Sequence, residues 1–347
     1  MSRSLRIVHA LCSDRKGGLE QAYVHMTQAL LQLGHEVHAW IPGQAPYTAQ
    51  LPGEALLQPF DPRGFYDPVE MLRSWLRLKR LQPDLIMTHN ARATSLLCRA
   101  RTGLGIPVMG VAHSYKHQRM RGVDHLLVLT EHMRQHHLQQ GFRDAQVHLF
   151  PNMLPHFPEA PLPLKSSEPV QLGFIGRLDP EKGLADLLQA LSMLKQRGKE
   201  PRLRVAGSGA EQARLIQQLQ QLGLQDQVVF DGWITDIRGW LQSIDLLVVP
   251  SREETFGLVV LEGMAHGRPV LATSTPGPAS LIQDGADGWL TPPTDPTSLA
   301  KALELALQSR SAWPMITESA YQKAQTYRME ALLPSLQTLL IRATGSR

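Results

Sequence analysis

Residues 173–188 read GFIGRLDPEKGLADLL. The apolar run GFIG predicts a strand, RLDPEKG a charged turn, and LADLL opens a stretch, LADLLQALSMLKQRG, with the apolar spacing of a helix closed by glycine. Strand, loop and helix in that order make half of a βαβ unit. The pattern recurs downstream, where VQLGFIG, RLRVAGS, QVVFDGW, DLLVVPS and RPVLATS are strand candidates separated by helices such as AEQARLIQQLQQLG. It recurs upstream too: RIVHAL, VHAWIP, DLIMTHN, PVMGVAHS and HLLVLT alternate with helices, of which QAYVHMTQALLQLGHE, stopping at Gly34, is the clearest. Such alternation predicts an α/β chain with a mostly parallel, doubly wound sheet in each half.

Between the halves, PHFPEAPLPLKSSEP (155–169) has five prolines and no periodicity, the composition of a linker. The expected domains are therefore 1–165 and 166–327. Residues 328–347 carry a last helix pattern, ALLPSLQTLLIRATG, that sequence alone leaves free to pack on either half, a return onto the N-terminal domain being one arrangement. A length of 347 residues suits two domains of about 170 each. A content of 43% hydrophobic and 19% charged residues excludes a disordered chain. No apolar run approaches the roughly 18 residues of a membrane span. The N-terminal run in MSRSLRIVHALC is short and lacks a small-residue cleavage site, so the expected location is cytoplasmic. Two distant cysteines, Cys12 and Cys98, suggest neither a disulfide framework nor a zinc site and read as buried thiols.

Charge is uneven. Residues 1–165 hold 18 Lys/Arg against 12 Asp/Glu, a surplus of six, and 13 of the 14 histidines; residues 166–347 hold 17 against 19, a deficit of two. A surplus confined to one half suggests an anionic partner for it.

In open α/β sheets, ligands sit outside the carboxyl ends of the strands, so the loops there are the first place to look. In the 173–188 stretch, Arg177 and Lys182 lie five residues apart across a turn that leads into a helix, and both could reach one diphosphate. The alternative is a solvated turn. VAGSGAEQ (205–212) approaches a dinucleotide fingerprint but has Gln212 where a third glycine belongs, so it reads as a tight turn beside a nucleotide. In REETFGLVVLEGMAHGRPV (252–270), Glu254 precedes a helix and Glu262 lies inside it, about 12 Å further along the axis. That span suits a sugar at one end and a ribose at the other, with helix N–H groups between them for phosphate. Glu262 sits among Val259, Val260, Leu261 and Met264, where a lone carboxylate is costly.

FIGRLDPEKG, the GSG of residues 207–209 and EETFGLVVLEGMAHGRPV resemble, in order and spacing, the motifs of the retaining GT-B glycosyltransferases of the GT4, or group 1, family, whose E-x7-E element is Glu254 to Glu262. The likeness runs through KGGLEQAYVHMTQALLQLGHEV, VAHS, FPN and DGADGWLTPPTDPTSLAKAL. It implies two Rossmann-like domains facing across a cleft, with the nucleotide sugar held mainly by the C-terminal one. Arg177 and Lys182 would grip the donor diphosphate, Glu262 the ribose and Glu254 a sugar hydroxyl. Gly207 and the amides of Phe256, Gly257 and Leu258 would border the donor, and Gly17 and Gly18 would close over the phosphate. His113 would sit at the transferred sugar and steady the reacting face by side chain or carbonyl. The chain departs from the family at Ser280, where a glutamate is common, and at PNM, where PNG is common.

The resemblance thus implies transfer of a sugar from a UDP- or GDP-sugar to a glycan or glycolipid in cell-envelope polysaccharide or lipopolysaccharide assembly. No D-x-D motif occurs, so no metal site and no further cofactor are expected. Beside the donor groups, His89 is a candidate for the acceptor side, and Lys116, Arg119 and Arg121 in YKHQRMRG form a loop suited to an anionic acceptor or a membrane surface, which would make the protein peripheral at the inner face of the membrane. His132 and His136 read as a solvated helix face. Rival readings are a GT-B-like epimerase or phosphorylase, which shares the fold, and a non-catalytic sugar-nucleotide-binding protein, which the retained Arg/Lys and Glu pairs disfavour. A dehydrogenase lacks its fingerprint, and nucleic-acid binding leaves the glutamates unexplained.

Overall fold

The computed structural model describes residues 3–165 and 168–345. The chain gathers into two compact units, one formed by the chain up to His156 together with the chain from Tyr327 on, the other by Phe157–Thr326. The boundary expected at 165 thus falls at 156, for a local reason. The Tyr321 hydroxyl donates to the carbonyls of Pro158 and Glu159, each at 2.9 Å, Leu162 N–H donates to His266 O at 2.9 Å, and Arg268 Nη2 to Pro163 O at 2.7 Å. The proline-rich segment is bound along the second unit instead of hanging between two.

In the first unit, β1 (Arg6–Ala10), α1 (Gly18–Gln32), β2 (Glu36–Ile41), β3 (Leu56–Pro59), α2 (Pro68–Leu81), β4 (Leu85–Thr88), α3 (Ala91–Ala100), β5 (Val108–Ala112), β6 (His125–Val128), α4 (Glu131–Gln139) and β7 (Val147–Leu149) follow one another. The seven strands are all parallel, in the order β3-β2-β1-β4-β5-β6-β7. Central strands buried on both faces read as unbroken apolar runs, as Leu85–Thr88 does. Helices begin where a side chain accepts the orphaned first-turn N–H groups: Asp67 takes those of Val69 and Glu70, and Asn90 that of Ala93. Because β1 stands between β2 and β4, the loops after β1 and β4 meet, and Asn90 Nδ2 donates to Cys12 O at 2.6 Å. Cys12 is buried and Cys98 half-buried, both free.

The second unit contains β8 (Gln171–Ile175), α5 (Leu184–Gln196), β9 (Arg202–Ala206), α6 (Gln212–Gln221), β10 (Val228–Gly232), α7 (Ile237–Gln242), β11 (Leu246–Val249), α8 (Leu258–Ala265), β12 (Val270–Thr273), α9 (Pro276–Leu281), β13 (Trp289–Thr291), α10 (Pro296–Gln308) and α11 (Trp313–Ala324). Its six parallel strands run β10-β9-β8-β11-β12-β13, so the order reverses between β8 and β11. A core of Leu172, Phe174, Leu187, Leu191, Leu203 and Val248 joins sheet to helices.

The last helix, α12 (Met329–Thr344), belongs with the first unit: Met329 N–H donates to Leu154 O at 2.9 Å, and Leu154 N–H to Tyr327 O at 2.9 Å. No helix among the described residues is long and apolar enough to cross a membrane.

Candidate functional site

The loop after β8 is built by close backbone approach. Gly183, at φ 71°, ends the turn that carries Lys182, and a Cβ there would stand 1.9 Å from Pro250 O, at the end of β11. Gly207, at φ 132°, would put a Cβ 1.9 Å from Gly176 O. Leu178 N–H donates to Ser208 O at 3.0 Å and Glu211 N–H to Leu178 O at 3.1 Å. The glycines of GSG therefore serve to seat the Arg177 loop closely on its neighbour, a packing role for Gly207 that the fingerprint reading did not contain.

The loops after β8 and β11 are also bolted together. Arg252 N–H donates to Glu181 O at 2.7 Å, and its guanidinium makes a two-bonded contact with Asp186 at 2.9 and 2.8 Å. Each of those bonds is charge-assisted, and the planar fork fixes orientation as well as distance. This fixes Lys182 against Glu254, with Nζ 2.6 Å from Oε2 and both side chains mostly shielded. Arg177 lies beside them and pairs with Asp179 at 3.0 Å, while the Asp179 side chain accepts from Lys182 N–H at 3.2 Å. Neither Arg252 nor Asp186 stood out in the sequence. Their signal was complementary charge, Arg252 after one strand and Asp186 at the start of the helix after another.

From Glu254 the chain turns into α8. Gly257, at φ 93°, caps the helix, and the Phe256 side chain is buried, leaving its backbone at the helix start. Gly277 of α9 packs so closely that a Cβ would come within 2.5 Å of Phe256 N, and its N–H donates to Glu254 O at 3.0 Å. Ser280 donates to Gly277 O at 2.6 Å, closing its own turn. On α8, the side chain of Glu262 is half-buried among apolar neighbours, and burial pushes its carboxyl from 4.5 up to about 7. Two carboxylates eight residues apart thus differ in kind, Glu254 paired to a cation and Glu262 raised by desolvation.

In the first unit, His113 follows β5 and its Nε2 lies 3.0 Å from Nδ1 of His89, the rings stacked 5.1 Å apart. His9 stacks on Tyr23 and meets His89 edge-on. Thr27 Oγ1 donates to Tyr23 O at 2.9 Å, so its remaining contact, His9 Nδ1 at 2.9 Å, must be the donor and His9 carries its proton there. Burial lowers all three imidazoles, His9 to about 3, His113 to about 4 and His89 well below its usual 6.5, so the group is neutral at physiological pH. His89 is 1% exposed. The acceptor-facing position expected for it is thereby corrected: as the residue directly after β4 it is covered by His113 and supports that ring from behind.

Gly17 caps α1 in extended backbone and Gly18 is its first residue. In the basic loop, Lys116 and Arg121 are exposed, whereas Arg119 lies flat on Phe65, 4.0 Å from the ring centre, and reaches Tyr66. His132 and His136 are taken up by Tyr115, through its hydroxyl at 2.8 Å and its carbonyl at 3.0 Å.

Residues 160–323 match the family described as Glycosyl transferases group 1, and residues 16–155 match Glycosyltransferase Family 4. The chain is 26% identical over 320 residues to the lipopolysaccharide core biosynthesis glycosyltransferase LpsE of Rhizobium meliloti, covering 89% of this chain and 91% of that protein. Among solved structures, Anabaena Alr3699/HepE in complex with UDP and glucose superposes with a TM-score of 0.84 at 19% identity, over 97% of this chain and 100% of that one. Sucrose-phosphate synthase from Thermosynechococcus elongatus does so with a TM-score of 0.85 at 20% identity, over 99% and 100%. These structures share its fold, which is GT-B.

Proposed function

Since the chain belongs to the group 1 glycosyltransferases, we propose that it transfers a hexosyl unit from a uridine or guanosine diphosphate sugar to a lipopolysaccharide-core or related polysaccharide acceptor, with retention at the anomeric carbon. The observation that carries the reading is the Lys182–Glu254 pair, assembled at the point where the strand order of the second sheet reverses. Group 1 membership and the LpsE likeness support the chemistry and the class of acceptor, and the HepE likeness supports UDP as the nucleotide to test first.

In this reading the bond from the anomeric carbon to the diphosphate breaks, and its electron pair goes to the leaving phosphate. The acceptor hydroxyl oxygen bonds to that carbon on the same face and passes its proton to the departing phosphate oxygen. Arg177 and Lys182 meet the growing negative charge, the work a metal ion does in other transferases. Glu254, already accepting from Lys182, keeps one oxygen for a sugar hydroxyl. Glu262 accepts from the ribose hydroxyls, and the N–H groups at the start of α8 face phosphate. The roles of Gly17, Gly18 and His113 rest on the family resemblance; for His113 the structure adds a neutral ring braced by His89. The surplus of positive charge in residues 1–165 supports a place at the cytoplasmic face of an anionic membrane.

The test is a panel of UDP-, GDP- and ADP-sugars, read first as stabilisation of the melt and then as transfer of labelled sugar to truncated lipopolysaccharide. A stabilising donor whose sugar reaches the acceptor supports the proposal. A donor converted to another sugar nucleotide with no acceptor product would replace it with the epimerase reading.

A further inference from the structure

Helix α2 is inside out. Its inward face carries Glu70 and Ser74 with Leu78, and its outward face carries Val69, Leu72 and Leu76, which are 57%, 59% and 54% exposed. Positions 69, 72, 73, 76 and 80 share one side of a helix at 3.6 residues per turn, so the three aliphatic side chains form a stripe with Arg73 and Arg80 along it and Lys79 at its margin. Glu70 is turned inward, within 3.8 Å of Arg73 and 3.9 Å of Arg77. From Val69 to Leu81 the exposed surface therefore holds no acid.

The segment leading into the helix continues the pattern. Tyr66 is 67% exposed, with the Arg99 guanidinium 4.6 Å from its ring centre and Arg119 5.4 Å away. On the helix, Lys79 Nζ lies 4.9 Å from the Trp75 ring centre. Aliphatic side chains to enter an acyl layer and cations for lipid phosphate are here on one face of the helix, with Trp75 on its flank and Tyr66 just ahead of it as rings suited to the headgroup level.

We infer that this face of α2, with Tyr66 at its head, docks the protein on an anionic lipid bilayer. The inference deepens the proposed envelope role and rests on it for the biological setting only; the surface itself stands on the exposure and charge just described. A second copy of the chain is the poorer occupant, because a two-fold contact would set Arg73 and Arg80 against their own images with no acid on the face to offset them. The basic loop is not the main contact either: Arg119 is committed to Phe65 and Tyr66, leaving Lys116 and Arg121 without an apolar stripe.

The experiment is co-sedimentation of the full chain with vesicles of phosphatidylcholine containing phosphatidylglycerol, and with phosphatidylcholine alone. The expected result is binding to the first that exceeds binding to the second and falls with salt. Leu72→Ser with Leu76→Ser should weaken it tenfold or more, and Arg73→Gln with Arg80→Gln by on the order of fivefold per charge, while Lys116→Gln with Arg121→Gln changes it little. All these positions are exposed, so the melts should stay at the parental value, and a melt that drops is answered by the milder Leu76→Gln alone. UDP binding is measured on the same samples. Its loss with vesicle binding intact would remove the transferase reading and leave the docking surface. Equal vesicle binding by the parent and the two-leucine variant, dependence on Lys116 and Arg121 instead, or a concentration-dependent dimer abolished by the leucine changes would overturn the proposal.

Discussion

Glu262→Gln should raise the stability of the empty protein at alkaline pH while weakening its hold on nucleotide. In the folded chain the carboxyl keeps its proton up to about 7, whereas unfolded it ionises near 4.5. A folded pKa above the unfolded one means the native state binds more protons through that window, so stability falls as pH rises from 4.5 to about 7 and the penalty is complete above it. At about 1.4 kcal/mol per pH unit the ceiling is about 3 kcal/mol, and for a half-buried side chain about 2 kcal/mol is the working figure. Glutamine keeps the shape and removes the ionisation. In a domain of this size each kcal/mol moves the melt by about 2–4 °C, so the variant should melt about 4–8 °C above the parent at pH 8, and the gain should shrink to about 1–3 °C at pH 5. The assay is differential scanning calorimetry at both values. Calorimetric titration with UDP should show the converse. The parent's affinity should rise roughly tenfold from pH 6 to 8 as the carboxylate forms, and the variant should bind flatly across that range and about tenfold or more weaker at pH 8. A variant destabilised equally at both pH values, binding UDP as the parent does, would refute both the desolvated carboxyl and its assignment to ribose.

Lys182→Ala should lower turnover on the order of 100-fold with a smaller change in donor KM, measured in a transfer assay, because charge on the leaving diphosphate peaks in the transition state. EDTA and added magnesium should leave the parental rate nearly unchanged, and a rate abolished by chelator and restored by magnesium would show that a bound ion does that work. Gly183→Ala should cost about 3 kcal/mol or more in denaturant unfolding, from left-handed backbone and collision with Pro250 O, whereas Gly198→Ala, at the same φ of 71° with nothing within 4 Å, should cost about 1 kcal/mol. Asp186→Asn should leave the Lys182 and Glu254 side chains intact but loosen the Arg252 tie that holds their loops together, raising donor KM several-fold on the order of a lost charge-assisted hydrogen bond.

Among the described residues, ten of the thirteen strands announce themselves as apolar runs, because a parallel strand covered on both faces needs little else. The three that do not are β3, β7 and β13, four, three and three residues long, all at sheet edges, and Leu56 and Leu57 of β3 are half exposed. The proline-rich stretch misleads for a different reason: lacking N–H groups, prolines look like a linker, yet their carbonyls are the acceptors that Tyr321 and Arg268 use. At the candidate site, residue type and spacing marked Arg177, Lys182, Glu254 and Glu262, since strand–loop–helix order and the E-x7-E interval are properties of the chain. Which carboxylate would be paired and which desolvated was not legible, because Lys182 and Glu254 are 72 residues apart in sequence. His89 shows the same limit: its place after β4 was visible, but the ring that covers it comes from the next strand.

Under the proposed roles, the contact between Lys182 and Glu254 would disfavour simple anions at this pair. A free phosphate or sulfate can take Lys182 only by stripping a carboxylate of its counter-charge, and it brings no hydroxyl to offer in exchange. A hexose linked to a diphosphate brings both, so under the proposed roles it can take the lysine and satisfy the carboxylate at once, whereas UDP alone binds without that exchange. Discrimination against the abundant inorganic ions of a cell would then be built into the resting pair, and the spent nucleotide, once its sugar has gone, would meet the same carboxylate reclaiming its lysine, which would favour departure of the product.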